Sequence, residues 1–341
     1  MGSSTTTPPN TSSSSFTPII NHLHTTIPSD NSRHELTHSL IPSLLQSIAE
    51  ISSALRDAHH IKAAGTANSF GDDQLNVDIT AETSIRLALS RCPSVATASS
   101  EEDPIQRPVS HPDCSSSSSS EVYTVAFDPL DGSSIIAPNW TVGTIIGIWD
   151  SPSALSCSPA EKQIASILGV YGPRTTAIIA VRFPFSSPLC FEVSLDTNSH
   201  TWAVTWPSFE YNSPPPKTRY FSPANLRSAS SLPQYSSLIS QYISEEYTLR
   251  YSGGMVPDVV HSLVKRHGIY LSPVTDTHKA KLRRLYELCP IALVVECAGG
   301  KAVDLDGNDI LATEVLNEDE RGGIVCGTRE EVGKAMKVLL G

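Results

Sequence analysis

The largely apolar run Val122–Phe127 closes on Asp128-Pro129-Leu130-Asp131-Gly132-Ser133-Ser134, and this junction constrains the fold more than any other stretch. The run reads as a buried strand, and Pro129 and Gly132 are expected to turn the chain sharply after it. Such a turn would face Asp128 and Asp131 to one point, joined by the Leu130 carbonyl. All three offer oxygen, the ligand type of a hard cation. Gly132, Ser133 and Ser134 then supply backbone N–H groups and two hydroxyls, and a helix starting there would attract an anion. One short segment can thus hold a metal ion and a phosphate. A plain Asp-Pro, Asp-Gly surface turn would account for the same residues, so the rest of the chain must decide.

With 341 residues the chain can bury a sizeable core or two fused subdomains. Its net charge of −11 argues against a nucleic-acid partner. It does not exclude an anionic substrate where metal ions neutralise the site. No apolar run is long enough to span a membrane. Residues 1–30 are rich in Ser, Thr and Pro and read as a disordered tail. They lack the apolar core of a secretory signal and the arginines of a mitochondrial presequence. Met1-Gly2 with Thr6 fits the loose myristoylation pattern, but no basic cluster follows as a second anchor. The seven cysteines are scattered, with no Cys-x-x-Cys, as expected of free thiols in a reducing compartment. The histidines are dispersed as well, so no soft-metal site is expected.

Leu40, Ile41, Leu44, Leu45, Ile48, Ile51 and Leu55 recur at helical spacing and mark an amphipathic helix entered through Pro42. A second helix is expected from about residue 80 to 89. Residues 103–120, with six consecutive serines, read as a surface insertion. Strands are expected at 142–149, 176–183 and 202–205. The proline-rich segment 213–217 reads as a boundary between halves, giving a tail at 1–30 and subdomains at 31–212 and 213–341. In the second half, helices are expected at 235–243, 256–266, 280–288 and 291–298, the third ending before Pro290 and the last closed by Gly299-Gly300. Strands are expected at 248–251 and 269–271. This alternation predicts an α/β fold of layered helices and sheets.

Further acids lie along the chain. Glu101 and Glu102 follow Ser99-Ser100, Asp72 follows Gly71, Asp78 lies a short way on, and Glu287 sits beside Leu285 and Leu288. Each alone reads as a solvated charge. Taken together with Asn68-Ser69-Phe70-Gly71-Asp72, Ser100-Glu101-Glu102 and Phe127–Ser134, the chain resembles the fructose-1,6-bisphosphatase/sedoheptulose-1,7-bisphosphatase family. Further anchors are Tyr171-Gly172-Pro173-Arg174, Arg250-Tyr251-Ser252-Gly253-Gly254-Met255, Lys281-Leu282-Arg283 with Tyr286-Glu287, and Ala298-Gly299-Gly300. The likeness runs from about residue 35 onward. It leans to the sedoheptulose-bisphosphatase branch through Trp140–Thr144, Phe221–Arg227 and Thr248–Asp258.

The resemblance implies a sugar-phosphatase fold of alternating layers, αβαβα. It implies two or three Mg²⁺ ions, replaceable by Mn²⁺, held by Glu101, Glu102, Asp128, the Leu130 carbonyl, Asp131 and Glu287. Glu102 and Asp78 match acids placed to take a proton from the attacking water, and Asp72 matches an acid on a mobile loop. Gly132, Ser133 and Ser134 would hold the transferred phosphoryl group. Asn225, Arg227, Arg250, Tyr251, Met255 and Lys281 match the sugar and distal-phosphate pocket. Arg250 would reach in from a neighbouring subunit, which implies a homodimer or homotetramer.

Three departures bear on function. Ser272 and Arg227 stand where fructose-bisphosphatases carry tyrosines, and less bulk with a longer cation suits a seven-carbon bisphosphate. A Lys-Tyr pair that helps bind AMP in gluconeogenic members aligns with Val122-Tyr123, and the lost Lys counts against AMP inhibition. Plastid sedoheptulose-bisphosphatases carry a redox cysteine pair before Asn68–Asp72, where this chain has Ala63–Ala67 without cysteine. Thioredoxin switching is therefore not expected there, and a cytoplasmic location is favoured over a plastid. The expected activity is hydrolysis of sedoheptulose 1,7-bisphosphate, with fructose 1,6-bisphosphate the alternative. Inositol monophosphate stands further off, because the distal-phosphate residues would be idle. A weakly catalytic metabolite-binding relative is the reading from another class.

Overall fold

The computed structural model describes residues 15–26, 33–59, 61, 63–67, 73–112, 120–184, 186–211 and 216–341. A short antiparallel pair, β1 (Ala63–Ala67) and β2 (Asp73–Leu75), stands apart from two larger sheets. The first contains β3 (Val95–Ser100), β4 (Arg107–Pro108), β5 (Tyr123–Asp131), β6 (Val142–Trp149), β7 (Gln163–Tyr171), β8 (Thr175–Val181), β9 (Leu189–Asp196) and β10 (Thr201–Trp206). These lie in the order β10-β9-β8-β7-β6-β5-β3-β4, with β5 to β10 an antiparallel meander and β3 parallel to β5. The second sheet holds β11 (Tyr220–Pro223), β12 (Thr248–Leu249), β13 (Ile269–Ser272), β14 (Lys301–Val303) and β15 (Ile324–Gly327), in the order β12-β11-β13-β15-β14.

The helices are α1 (Thr17–Thr26), α2 (Ile41–Asp57), α3 (Asn76–Ser90), α4 (Ser133–Ile136), α5 (Pro159–Lys162), α6 (Pro233–Ser244), α7 (Met255–Lys265), α8 (Cys289–Cys297) and α9 (Arg329–Leu339). Strand alternation decides which core each side chain enters. In β6, Ile146 and Ile148 join the core under α1, α2 and α3, while Ile145 and Trp149 join a second core with α7 and α8. A third core lies beyond the second sheet, where α6 and α9 cover Phe221, Leu271 and Val325. The layers therefore run helix, sheet, helix, sheet, helix, as expected.

Several expectations need correction. Residues 17–26 of the expected tail form α1, with Phe16, Ile19 and Leu23 buried. Their helical spacing gave this segment an apolar stripe, hidden in an uncharged Ser/Thr/Pro background. Residues 1–14 and 27–32 lie outside the described residues, as do 113–119 of the serine insertion and 212–215 of the proline segment. The chain does not turn at Pro129. β5 continues to Asp131 through a bulge that sets Asp128 opposite Ile145 and Asp131 opposite Gly143, and a bulge is where a strand tolerates proline. The strand expected at 248–251 stops at Leu249. His24, His34 and His38 are not dispersed: the His34 and His38 rings stack at 4.2 Å, and His24 meets His38 at 5.0 Å.

Two prolines that were expected to bound helices lie inside them. A π-helical turn, Leu36–Leu40, runs into α2 ahead of Pro42, and another, Arg284–Leu288, runs into α8 ahead of Pro290. In each the next N–H reaches five residues back, Ile41 to Leu36 and Cys289 to Arg284. The wide turn shifts the ladder so that the ring falls in the first turn of the following α-helix, where no N–H is missed. Residues 284–297 are thus one helix rather than two.

Candidate active site

β3 and β5 run parallel with Ser100 opposite Phe127, and the Glu101 N–H donates to the Phe127 carbonyl at 3.0 Å. That pairing sets Glu101 beside Asp128. The π turn before α8 delivers Glu287 to the same point. One carboxylate oxygen from each of Glu101, Asp128 and Glu287 lies within 4.8 Å of the others. Asp128 Oδ1 accepts the Leu130 N–H at 3.0 Å, and Glu287 Oε2 accepts the Arg283 N–H at 2.5 Å. The buried Arg283 guanidinium pairs with Glu101.

Burial holds the Asp128 and Glu287 carboxyls well above their usual range, and the neighbouring acids push the same way. Glu101 is raised for the same first reason, against the pull of Arg283. Among the described residues one guanidinium, that of Arg283, is paired with the three packed acids, which leaves them short of positive charge. An all-oxygen donor set with that deficit fits a hard divalent cation. Glu101, Asp128 and Glu287 would hold it.

Asp131 faces a different partner. Its two oxygens accept the Met255 N–H at 3.2 Å and the Val256 N–H at 2.7 Å, at the start of α7. Burial raises its carboxyl to about 6, offset by those N–H groups. Gly143 makes this contact possible. It lies opposite Asp131, and a Cβ there would sit 2.4 Å from the Val256 Cβ, so only a residue without a side chain lets α7 come so close.

Asp78 lies in the first turn of α3, where Oδ2 accepts the Leu75 N–H at 2.8 Å. Its Oδ1 is buried with no hydrogen-bond partner among the described residues. Burial first, then the charges of Glu102 and Glu101, push Asp78 up to about 7. Glu102 is therefore close enough to act on Asp78 through its charge, although the clustered oxygens belong to Glu101. Asp72 lies outside the described residues.

The phosphate-binding expectation meets a short element. Gly132 takes the left-handed φ of 92°, and Ser133 and Ser134, both exposed, begin the single turn α4. Arg250 and the half-exposed Tyr251 line a cavity of about 980 Å³ with Trp140, Arg174 and His261. The clustered carboxylates are not among its walls. Met255 is buried and contributes its N–H to Asp131. Arg227 and Lys281 are exposed. The Asn225 amide is turned inward, donating to the Pro273 carbonyl at 2.6 Å and to Ser228 Oγ at 2.8 Å.

Two residues escaped sequence reasoning. Arg283 stood inside a quoted motif without a role, and its place four residues before Glu287 was the available signal. Asp258 accepts the Ser252 N–H at 2.8 Å and buttresses the loop before α7. An acid in the first turn of a helix was its signal.

Residues 19–203 match the profile described as "Fructose-1-6-bisphosphatase, N-terminal domain", and residues 214–340 match "Fructose-1-6-bisphosphatase, C-terminal domain". The chloroplastic sedoheptulose-1,7-bisphosphatase of Spinacia oleracea is 38% identical over 80% of this chain and 67% of its own length. A class 1 fructose-1,6-bisphosphatase of Geobacter sulfurreducens is 32% identical over 92% of this chain and 96% of its own. Among solved structures, a Toxoplasma gondii protein provisionally named sedoheptulose-1,7 bisphosphatase superposes with a TM-score of 0.82 at 30% identity, covering 95% of this chain and 98% of its own. The holo fructose-1,6-bisphosphatase of Leishmania major gives a TM-score of 0.80 at 26% identity, over 94% and 98%.

Proposed function

This chain belongs to the fructose-1-6-bisphosphatase family, and from that premise we propose that it removes the 1-phosphate of sedoheptulose 1,7-bisphosphate. The class of enzyme is a sugar bisphosphatase, a phosphoric monoester hydrolase. The observation that carries the chemistry is the convergence of Glu101, Asp128 and Glu287 within 4.8 Å. Mg²⁺ is the proposed ion, with Mn²⁺ able to replace it. Bound there, the ion would lower the pKa of a water and neutralise charge on the leaving oxygen.

The chain's own groups do the rest. Asp78 and Glu102 are the groups proposed to take a proton from the attacking water, and an Asp78 Oδ1 that is buried with no hydrogen-bond partner among the described residues suits that role. Gly132, Ser133 and Ser134 offer donors to the phosphoryl group. Arg227, Arg250, Tyr251 and Lys281 supply cations and a hydroxyl for the distal phosphate. Asn225 is proposed for the same sugar and distal-phosphate pocket, and its amide ties its turn to the Pro273 carbonyl. Asp72 completes the proposed set of acids. Arg250 turns back to the Leu249 carbonyl at 2.7 Å and is exposed, which suits a residue that serves a neighbouring copy in a homodimer or homotetramer. A division at 212/213 and a cytoplasmic location belong to the same reading.

The seven-carbon preference rests on Arg227, whose charge reaches Tyr251, and on the small Ser272 that ends β13. The six-carbon substrate is the second reading, supported by the fructose-1,6-bisphosphatases that match nearly the whole chain. Phosphate release from both bisphosphates, side by side with Mg²⁺ and with EDTA, tests both. Release that needs Mg²⁺ and is faster with the heptulose is expected. Faster release from the fructose compound overturns the Ser272 and Arg227 argument, and release undiminished by EDTA overturns the metal assignment.

A further inference from the structure

Building on the bisphosphatase reading, we propose that Asp258 is a positioning residue for the sugar-binding side of the site. Its carboxylate accepts the Ser252 N–H at 2.8 Å and, in a longer contact, the Gly253 N–H at 3.5 Å. It is buried, 4% exposed, in the first turn of α7. Gly253 holds a φ of 103°, a conformation open to glycine without strain. The turn made there delivers the next two free N–H groups, of Met255 and Val256, to Asp131.

Two carboxylates thus fix the loop Ser252–Val256 at its two ends. Asp258 belongs to the helix the loop starts, and Asp131 ends the strand that carries Asp128. Arg250 and Tyr251, which lead into this loop, and Ser252, its first residue, line the large cavity. Ser222 Oγ donates to the Arg250 carbonyl and ties the incoming chain to β11. The loop joins the cavity-lining residues to α7 and is hydrogen-bonded through Asp131 to β5, the strand that carries Asp128, and Asp258 sets its shape. A simple helix-stabilising acid would need one N–H of its own first turn. Asp258 instead reaches back five and six residues, to the segment outside the helix.

The test compares wild type, Asp258→Asn and Asp258→Ala by hydrogen–deuterium exchange over residues 250–256 without substrate, and by steady-state kinetics with bisphosphate. Asp258→Asn keeps the shape and decides the matter if Asp258→Ala does not fold. Exchange in this segment is expected to rise about tenfold or more in the variants. KM is expected to rise about tenfold with kcat falling less than about threefold, the mark of lost positioning rather than lost chemistry. Unchanged exchange in Asp258→Asn overturns the proposal, and so does a fall in kcat with KM unmoved. If wild type hydrolyses neither bisphosphate, the functional reading fails while the exchange result still decides whether Asp258 shapes the loop.

Discussion

Asp78 and Glu287 are both buried acids, yet their surroundings suit them to opposite tasks. Glu287 packs against two other carboxylates, where a cation is the natural counterweight. Asp78 lies outside that trio, raised to about 7, with one oxygen unpartnered among the described residues. Below about pH 7 it keeps its proton and cannot accept another; above it, the carboxylate is free to do so. If it takes the water's proton, kcat rises with pH up to about 7 and then levels. Asp78→Asn should lower kcat by roughly 10²–10³ and abolish that rise. A pH profile unchanged in the variant would assign the proton to another group, Glu102 first. The acids themselves were legible in the sequence because Asp128 and Asp131 flank a proline at a strand end. The roles of Arg283 and Asp258 were not. Both depend on partners, Glu101 and Ser252, that only the folded chain brings within reach.

At the scale of elements, the contact between β6 and α7 has no slack. A methyl group at position 143 would overlap Val256, so Gly143→Ala should destabilise by about 1–3 kcal/mol and loosen the two N–H groups held by Asp131. Val256→Ala would keep the clashing Cβ, so the check is a double-mutant cycle with Val256→Gly: Gly143→Ala should cost less in that background than in wild type, as read by denaturant midpoints, and an equal cost in both would show that the strain lies elsewhere. Elements with uninterrupted patterns were legible. The strand expected at 142–149 is β6, and that expected at 176–183 is β8 within two residues. The failures have separate causes. Pro42 and Pro290 broke the helical pattern on paper, while a π turn absorbs each in space. β7 and β9 carry polar residues such as Gln163 and Glu192, which the buried centre of a sheet accommodates. β15 and α9 went unmarked, one too short and the other too charged to stand out.

For the whole molecule, the buried acids set a pH dependence. Asp78 titrates near 7 and Asp131 and Asp258 near 6 in the folded chain, against about 4 when unfolded. Between about pH 4 and 7 the folded chain therefore binds more protons, and its stability falls as pH rises through that window. A divalent cation favours the ionised acids and opposes this loss. The gap in Tm between samples with Mg²⁺ and with EDTA should widen from pH 5 to 7.5; a gap that stays constant would sever the acids from metal binding. The second apolar core has a different consequence. It draws Ala126, Ile145 and Leu168 from the first sheet and Leu293, Val294 and Ile324 from the last sixty residues of the chain. During synthesis, the first sheet is complete at Trp206, but of the helices that cover its second face α7 begins at Met255, and the cover is completed only by the helix that begins at Arg284. At ribosomal rates of about 5–20 residues per second, that apolar face waits roughly 4–16 seconds for its cover. The nascent chain is most exposed to aggregation in that interval, and a chaperone that shields it would act there.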